Sequence, residues 1–392
     1  MNELNYRQCT RCVMDTTDPD IVFDEQGHCN HCNNLFKTLN DSSYQRRYNE
    51  NNLRQLVKKM KASGHGKEYD CILGLSGGID SSYTAYLLKK LGLRTLLVHM
   101  DNGWNAEEAV RNMKNIADRL DFDYESYVLD WEEFKDLQLS FLKASVIEAD
   151  TPTDIAILGA LHKVAAKYGV HYIISGGNLA TEGILPGNWH YNAKDMRYLK
   201  SIHSKFGKRP LRNFPSFGLL KESWYKLFRG IRMIYLLNYI NFSKSEAKQI
   251  LTSELNWQYY GGKHHESRYT KFVQSYLLPV KFKLDYRKAT LSSQICAGEI
   301  CREKALDLLQ QPMYNPEEVE KEKKFVAKKL DISLGELEDI IQLPPKTYRD
   351  YPNNEKQLEF FYRLYRKFFD KIAPTWLFFS KAKTSVILDE QL

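Results

Sequence analysis

The 392-residue sequence predicts an α/β fold, a doubly wound parallel sheet set between a cysteine-rich N-terminal module and a long helical C-terminal region. Three observations predict it. From Asp70 onward, short β-rich runs alternate with longer helical patterns, the rhythm of parallel strands joined by crossover helices. A serine- and glycine-rich turn, Ser76-Gly77-Gly78-Ile79-Asp80-Ser81, joins the first strand to the first helix. After about residue 215 strands become hard to find, and amphipathic helical periodicity runs to Phe369. With 43% hydrophobic and 27% charged residues, the composition is that of a globular chain rather than a disordered one.

Residues 1–42 are polar, turn-rich and too few to fold on a hydrophobic core. They hold Cys9-x-x-Cys12 and Cys29-x-x-Cys32, separated by sixteen residues, the spacing of a four-thiolate zinc ribbon. Each CxxC knuckle aims two thiolates at one ion, so a structural Zn²⁺ with no open coordination position is expected. No basic segment followed by an apolar stretch is visible at the start, and the longest apolar run, 233–243, is too short to span a bilayer. The expected compartment is the cytoplasm, where paired cysteines serve metals more often than disulfides. Cys71, Cys296 and Cys301 read as small buried hydrophobes.

A helical connector (43–66) leads through Gly64-His65-Gly66 into the main domain, expected at 67–200. Its strands are expected at 71–75, 95–100, 125–129 and 172–175, with helices at 82–91, 106–120, 131–147 and 154–168. Residues 201–374 read as a helical substrate or partner domain, and 375–392 as a tail or partner arm. Charge is uneven: the chain carries +7 overall, yet 194–232 alone holds eleven Lys/Arg against Asp195 and Glu222. Such a stretch suits a protein partner, a membrane surface or nucleic acid. The mix of large apolar residues with Lys221, Lys226, Arg229 and Arg232 favours the first two over nucleic acid.

The chemistry concentrates after the first strand. Gly77 and Gly78 let backbone approach a charged ligand, and the N–H groups at the following helix start favour an anion. Ser76, Ser81 and Ser82 add hydroxyls, and Asp80 can hold Mg²⁺ or brace the loop. No GK[ST] ending follows, which excludes the Walker-type loop. His99 and Asp101 end the second strand, and Gly176-Gly177-Asn178 the fourth, placing three polar strand ends on one edge of one sheet.

This loop resembles the pyrophosphate loop of the ATP-pyrophosphatase superfamily. The resemblance implies that ATP adenylates a substrate oxygen, pyrophosphate leaves, and a nucleophile displaces AMP. Over nearly its whole length the chain further resembles the N-acetyl sugar amidotransferases of bacterial surface-polysaccharide and nonulosonic-acid biosynthesis. The resemblance rests on CTRCVMD…GHCNHC, SGGIDSS, YIISGGNLATEGILPGNWHY, SIHSKFG, YGGKHHESRYT and DYRKATLSSQICAGEICREKAL. It implies activation of an acetamido oxygen by ATP and its replacement by ammonia. Asp80, Lys263, Glu266 and Arg268 are then the catalytic candidates. Asp154, Glu182, His264 and Tyr269 stand on the acetamido-sugar side, with the C-terminal helices supplying the pocket. A glutaminase subunit and a cyclase-like ammonia-channelling subunit are the implied partners. Two competing readings exist: a tRNA thiolase, and a non-catalytic protein that only binds AMP. Thiolases carry a catalytic cysteine where this chain reads Asp150-Thr151-Pro152-Thr153-Asp154. Intact Ser76, Asp80, Ser81 and Lys263 speak against a mere AMP binder.

Overall fold

A computed structural model describes residues 6–262 and 265–360. The expected tail at 375–392 and the last part of the helical region fall outside them.

Five parallel strands form the centre: β1 (Cys71–Gly74), β2 (Thr95–Asp101), β3 (Tyr124–Val128), β4 (Tyr172–Ser175) and β5 (Arg232–Tyr235), in the order β3-β2-β1-β4-β5. Alternate side chains serve opposite faces. Ile72, Leu96, Val98 and Ile173 pack against Leu161, Val164 and Ala165 of helix Thr151–Lys167. On the other face Leu73, Leu97, Ile174 and Ile234 meet Ala85 and Leu88, Met113 and Ile116, and Leu251 and Leu255. Those pairs belong to helices Ile79–Lys90, Glu107–Leu120 and Lys244–Leu255. A sheet covered on both faces explains why β1 and β2 read as unbroken apolar runs.

The four expected strands are present within a residue or two, but β5 was not expected and the sheet runs past residue 200. Its four residues sit inside one apolar run, where buried strand and helix share the same pattern. Arg232 therefore begins a strand, and the amphipathic helix of the basic stretch stops at Arg229, where Gly230 takes the left-handed conformation. The connector is two helices, Ser42–Arg47 and Glu50–Ser63, the second capped by Asn49. The helix expected at 154–168 starts earlier, at Thr151, with Pro152 in its first turn.

In the N-terminal module Cys9, Cys12, Cys29 and Cys32 are fully buried, and their sulfurs lie within 4.8 Å of one another. Cys9 Sγ is 3.7 Å from Cys32 Sγ, and Cys12 Sγ is 3.6 Å from Cys29 Sγ. Tetrahedral zinc with Zn–S of about 2.3 Å sets its sulfurs roughly 3.8 Å apart, so the donor set fits the ion. Backbone N–H groups of Cys12 and Cys29 donate to Cys9 Sγ at 3.4 and 3.2 Å, as thiolates require. With all four positions filled, the metal would supply folding stability rather than chemistry.

The module is pinned to the far end of the chain. Arg302 donates to the carbonyls of Cys9 and Cys12, each at 3.0 Å, and Val13 N–H donates to Ser292 Oγ at 3.2 Å. Cys296 is buried beside the cluster and Cys71 lies buried in β1. Cys301 is exposed, because it sits outside the start of helix Arg302–Gln310. That corrects its reading as a buried hydrophobe.

Purified protein should contain about one equivalent of zinc, and Cys12→Ser should lose it. Because the metal stabilises so small a module, the melting temperature should then fall by at least about 5 °C. Metal analysis and thermal melts check both.

Candidate active site

The strand order reverses between β1 and β4, and in open parallel sheets ligands gather at such a switch point beyond the strand ends. Gly77 turns the loop there with φ of +81°, and a Cβ on it would lie 2.6 Å from the Ala109 carbonyl oxygen. The turn is tied from within. Ser76 N–H donates to Ser81 Oγ, and Gly78 N–H to Ser76 Oγ, both at 3.2 Å. The indole N–H of buried Trp257 donates to the Gly77 carbonyl at 2.8 Å. From the neighbouring strand end, Gly176 presses against the helix start: its Cβ would meet Ser81 N at 2.6 Å.

Three recesses open around this point. The first, about 690 Å³, is lined by Ser76, Gly78, Asp80, Ser81, Gly176, Gly177 and Glu182, with Lys244, Lys248 and Lys304 across from them. Thr181 Oγ1 donates to Asp80 Oδ2 at 3.4 Å. The absent Cβ of Gly177 leaves room for Glu182, whose Oε2 would lie 3.2 Å from it. Two carboxylates lining one recess beside hydroxyls are the hard oxygen donors Mg²⁺ selects. Asp80 and Glu182 would hold such an ion, which neutralises phosphate charge.

Glu266 belongs to this recess and to the second one. It is carried there by pairing of segment 266–268 with the loop after β2: Ala106 N–H donates to the Glu266 carbonyl and Arg268 N–H to that of Trp104, both at 2.8 Å. Tyr260 OH donates to Glu266 Oε2 at 3.3 Å.

The second recess, about 620 Å³, combines Glu148, Asp150 and Asp154 with Trp189, His190, Tyr191 and Tyr286. Asp150 is satisfied by the hydroxyls of Thr153 and Thr270, both at 2.6 Å, and Glu148 by Tyr198 OH at 3.1 Å. The Asp154 carboxyl is exposed on the wall of the recess. Desolvation pushes all three carboxyls up, to about 7, about 6 and about 7 in chain order, and repulsion from Asp150 adds to the rise at Asp154. His99 Nδ1–H donates to the Leu75 carbonyl at 3.1 Å, and its buried Nε2 has no close hydrogen-bond partner among the described residues. Burial lowers the His99 pKa, so the ring stays neutral. The indole N–H of Trp189, 1% exposed, also lacks a partner among the described residues. The third recess, about 650 Å³, carries Glu182, His265, Gln274, Asp285 and Arg287.

Several expected site residues are placed elsewhere. Arg268 forks onto Glu322 at 2.9 and 3.1 Å and stacks on Phe325, tying two helices together instead of reaching phosphate. Tyr269 is fully buried against Trp104, with its OH on the Ala149 carbonyl. Asp101 accepts from Gly103 and Asn105 in the loop after β2, and Asn178 caps the helix Leu179–Glu182. Ser82 is buried within its helix, off the recess. Lys263 and His264 lie outside the described residues. Lys244 and Lys248 were missed, although their i, i+4 spacing on one helix was a readable signal. Glu148 carried no local signal, and Trp189, although inside the block YIISGGNLATEGILPGNWHY, was given no role.

Two family models match the chain. Residues 46–141 match NAD synthase, and residues 266–367 match "LPS biosynthesis protein WbpG-like, C-terminal domain". Among curated proteins, a probable mitochondrial tRNA-specific 2-thiouridylase of Caenorhabditis elegans is 29% identical over 196 residues, covering 46% of this chain and 48% of that protein. A tRNA-specific 2-thiouridylase of Fusobacterium nucleatum is 26% identical, covering 46% and 49%. The chain thus spans about half the length of these curated relatives. Among solved structures, the NH3-dependent NAD synthetase of Campylobacter jejuni aligns at 14% identity over 73% of this chain and 94% of that one, with a TM-score of 0.29.

Gly176→Ala should cost about 1–3 kcal/mol, since backbone on the opposite side cannot yield, and should weaken ATP binding. Gly187→Ala, where an added Cβ meets nothing within 4 Å, should leave both unchanged. Thermal melts with and without ATP check the pair.

The raised carboxyls also fix a pH dependence. Burial pushes the Glu148 carboxyl up to about 7 in the folded protein, whereas the unfolded chain releases the proton near 4.5. Stability from this group is therefore present at low pH and lost as pH rises through that window. Glu148→Gln should melt higher than wild type at pH 8, with the advantage gone near pH 4.

Proposed function

We propose that this chain, a PP-loop ATP-pyrophosphatase superfamily member with a WbpG-like C-terminal domain, is an ATP-dependent amidotransferase acting on an acetamido sugar. ATP lies with its phosphates over the loop Ser76–Ser81 and transfers AMP to the acetamido oxygen. Ammonia then attacks the activated carbon and AMP leaves, giving an acetamidino sugar for bacterial surface glycan. An amide oxygen leaves poorly, and as a phosphate ester it leaves readily. The protein's share is alignment and charge neutralisation. Lys244, Lys248 and Lys304 face the departing pyrophosphate, while Glu266 stands where the phosphate and acidic recesses meet.

The observation that carries this reading is the recess beside the loop: it is lined by carboxylates and aromatic rings and contains no cysteine. Hydroxyl-accepting carboxylates and flat apolar faces are what a sugar ring asks of a protein. The ammonia source proposed is solution or a glutaminase acting through a cyclase-like barrel, and the compartment proposed is the cytoplasm. Among the described residues no helix is long and apolar enough to cross a membrane.

The 2-thiouridylase relatives support a second reading, a tRNA-modifying thiolase. That chemistry needs a cysteine beside the adenylated atom. Four cysteines form the ribbon cluster, Cys296 packs on it, and Cys71 is buried in β1. Only Cys301 is exposed among them.

With ATP, Mg²⁺, ammonium and candidate acetamido sugars, the products should be AMP, pyrophosphate and a sugar with the mass shift of NH replacing O. Release of ADP and phosphate sinks the proposal. Cys301→Ser should turn over at the wild-type rate; loss of activity in that variant moves the assignment to the thiolase.

A further inference from the structure

The helix Leu219–Arg229 has its inner face fixed and its outer face bare. Inside, Glu222 is 2% exposed and lies between Lys194 at 2.5 Å and Lys226 at 2.8 Å. Tyr225 stacks on Phe217 and packs at a tilt against the His162 ring. Outside, Leu220, Trp224, Leu227 and Phe228 are 86%, 43%, 64% and 76% exposed. Their i, i+4, i+7, i+8 spacing puts them on one stripe. So many large apolar side chains on one solvated helix face mark a contact surface.

The charges around the stripe have one sign. Asp195 and Glu222, the acids of the stretch 194–232, are both buried. Arg229 lies over the Trp224 ring at 5.2 Å, and Lys221 is exposed beside it. Lys221 Nζ donates to the Ser216 carbonyl at 3.0 Å and to Ser216 Oγ at 2.8 Å, which holds this cation at the start of the helix. Arg232 is exposed just past the helix. A second copy of this face would repel the first. A protein interface core is depleted in lysine, whereas helices lying in a lipid headgroup region pair Leu, Trp and Phe with a Lys/Arg rim.

We propose that Leu219–Arg229 docks the protein on an anionic bilayer surface, with Leu220, Trp224, Leu227 and Phe228 entering the headgroup boundary and the surrounding cations meeting lipid phosphates. The docking is peripheral and reversible. It is independent of the amidotransferase reading, since none of the four apolar residues lines the three recesses.

The test is sedimentation of the full chain with phosphatidylglycerol–phosphatidylcholine vesicles, and with phosphatidylcholine alone. Wild type should partition onto the anionic vesicles and not onto the neutral ones. L227D/F228D should lower the partition coefficient by about tenfold or more. K221E/R229E should lower it by at least roughly fivefold per cation. Unchanged circular dichroism and melting temperature of the exposed-face variants show that folding is not at issue. The proposal is overturned if wild type stays in the supernatant, or if L227D/F228D sediments like wild type. It is equally overturned if size-exclusion chromatography reveals a dimer that L227D/F228D abolishes while vesicles bind nothing.

Discussion

The structure depends on one close approach: the end of β4 lies directly against the N-terminus of the helix that follows β1. Gly176 makes it possible, since any Cβ there would fall 2.6 Å from Ser81 N and 2.9 Å from the Asp80 carbonyl carbon. That approach closes the switch point and aims the helix N-terminus along the sheet edge. The helix start is where backbone donors and dipole favour an anion. The pairing of β1 with β4 on one side and β2 on the other holds this geometry from below. The serines of the loop and Trp257 hold it from above.

Everything around the loop is brought in from a distance. Glu266 arrives by a short antiparallel bridge between Asn105 and Ser267. Gln294, which lines two of the three recesses, lies on helix Arg287–Cys296. The same helix receives the cysteine module through Ser292 and Cys296, and Arg302 at the start of the next helix adds a third tie. Ser293 Oγ also accepts from Ile184 N–H at 2.8 Å, just after the segment that presents Glu182. The cysteine module, helix Arg287–Cys296 and the segment carrying Glu182 are thus packed on one another, so the cysteine cluster braces the recess without lining it.

The acidic recess shows how burial sets chemistry. Glu148, Asp150 and Asp154 are crowded into a space where Lys194, the cation on its wall, is paired with Glu222. Desolvation therefore wins, and the carboxyls sit close to neutral pH.

The sequence by itself determined the local items: four strands, the turn with its two glycines, and four cysteines at ribbon spacing. Each is written in consecutive residues whose backbone needs or periodicity can be read directly. It also marked Asp80, Glu182 and Glu266, and the structure brings all three to the recess beside the loop. Only the tertiary structure decided which polar residues face that recess and which serve packing. Arg268 and Tyr269 lie two and three residues after Glu266, yet helical rotation turns them onto Glu322, Phe325 and Trp104. Glu148 and Trp189 gained meaning only when segments forty residues apart closed on one cavity. β5 stayed hidden because a strand buried on both faces has no alternation to read; its neighbour β4, not its own four residues, selects its conformation.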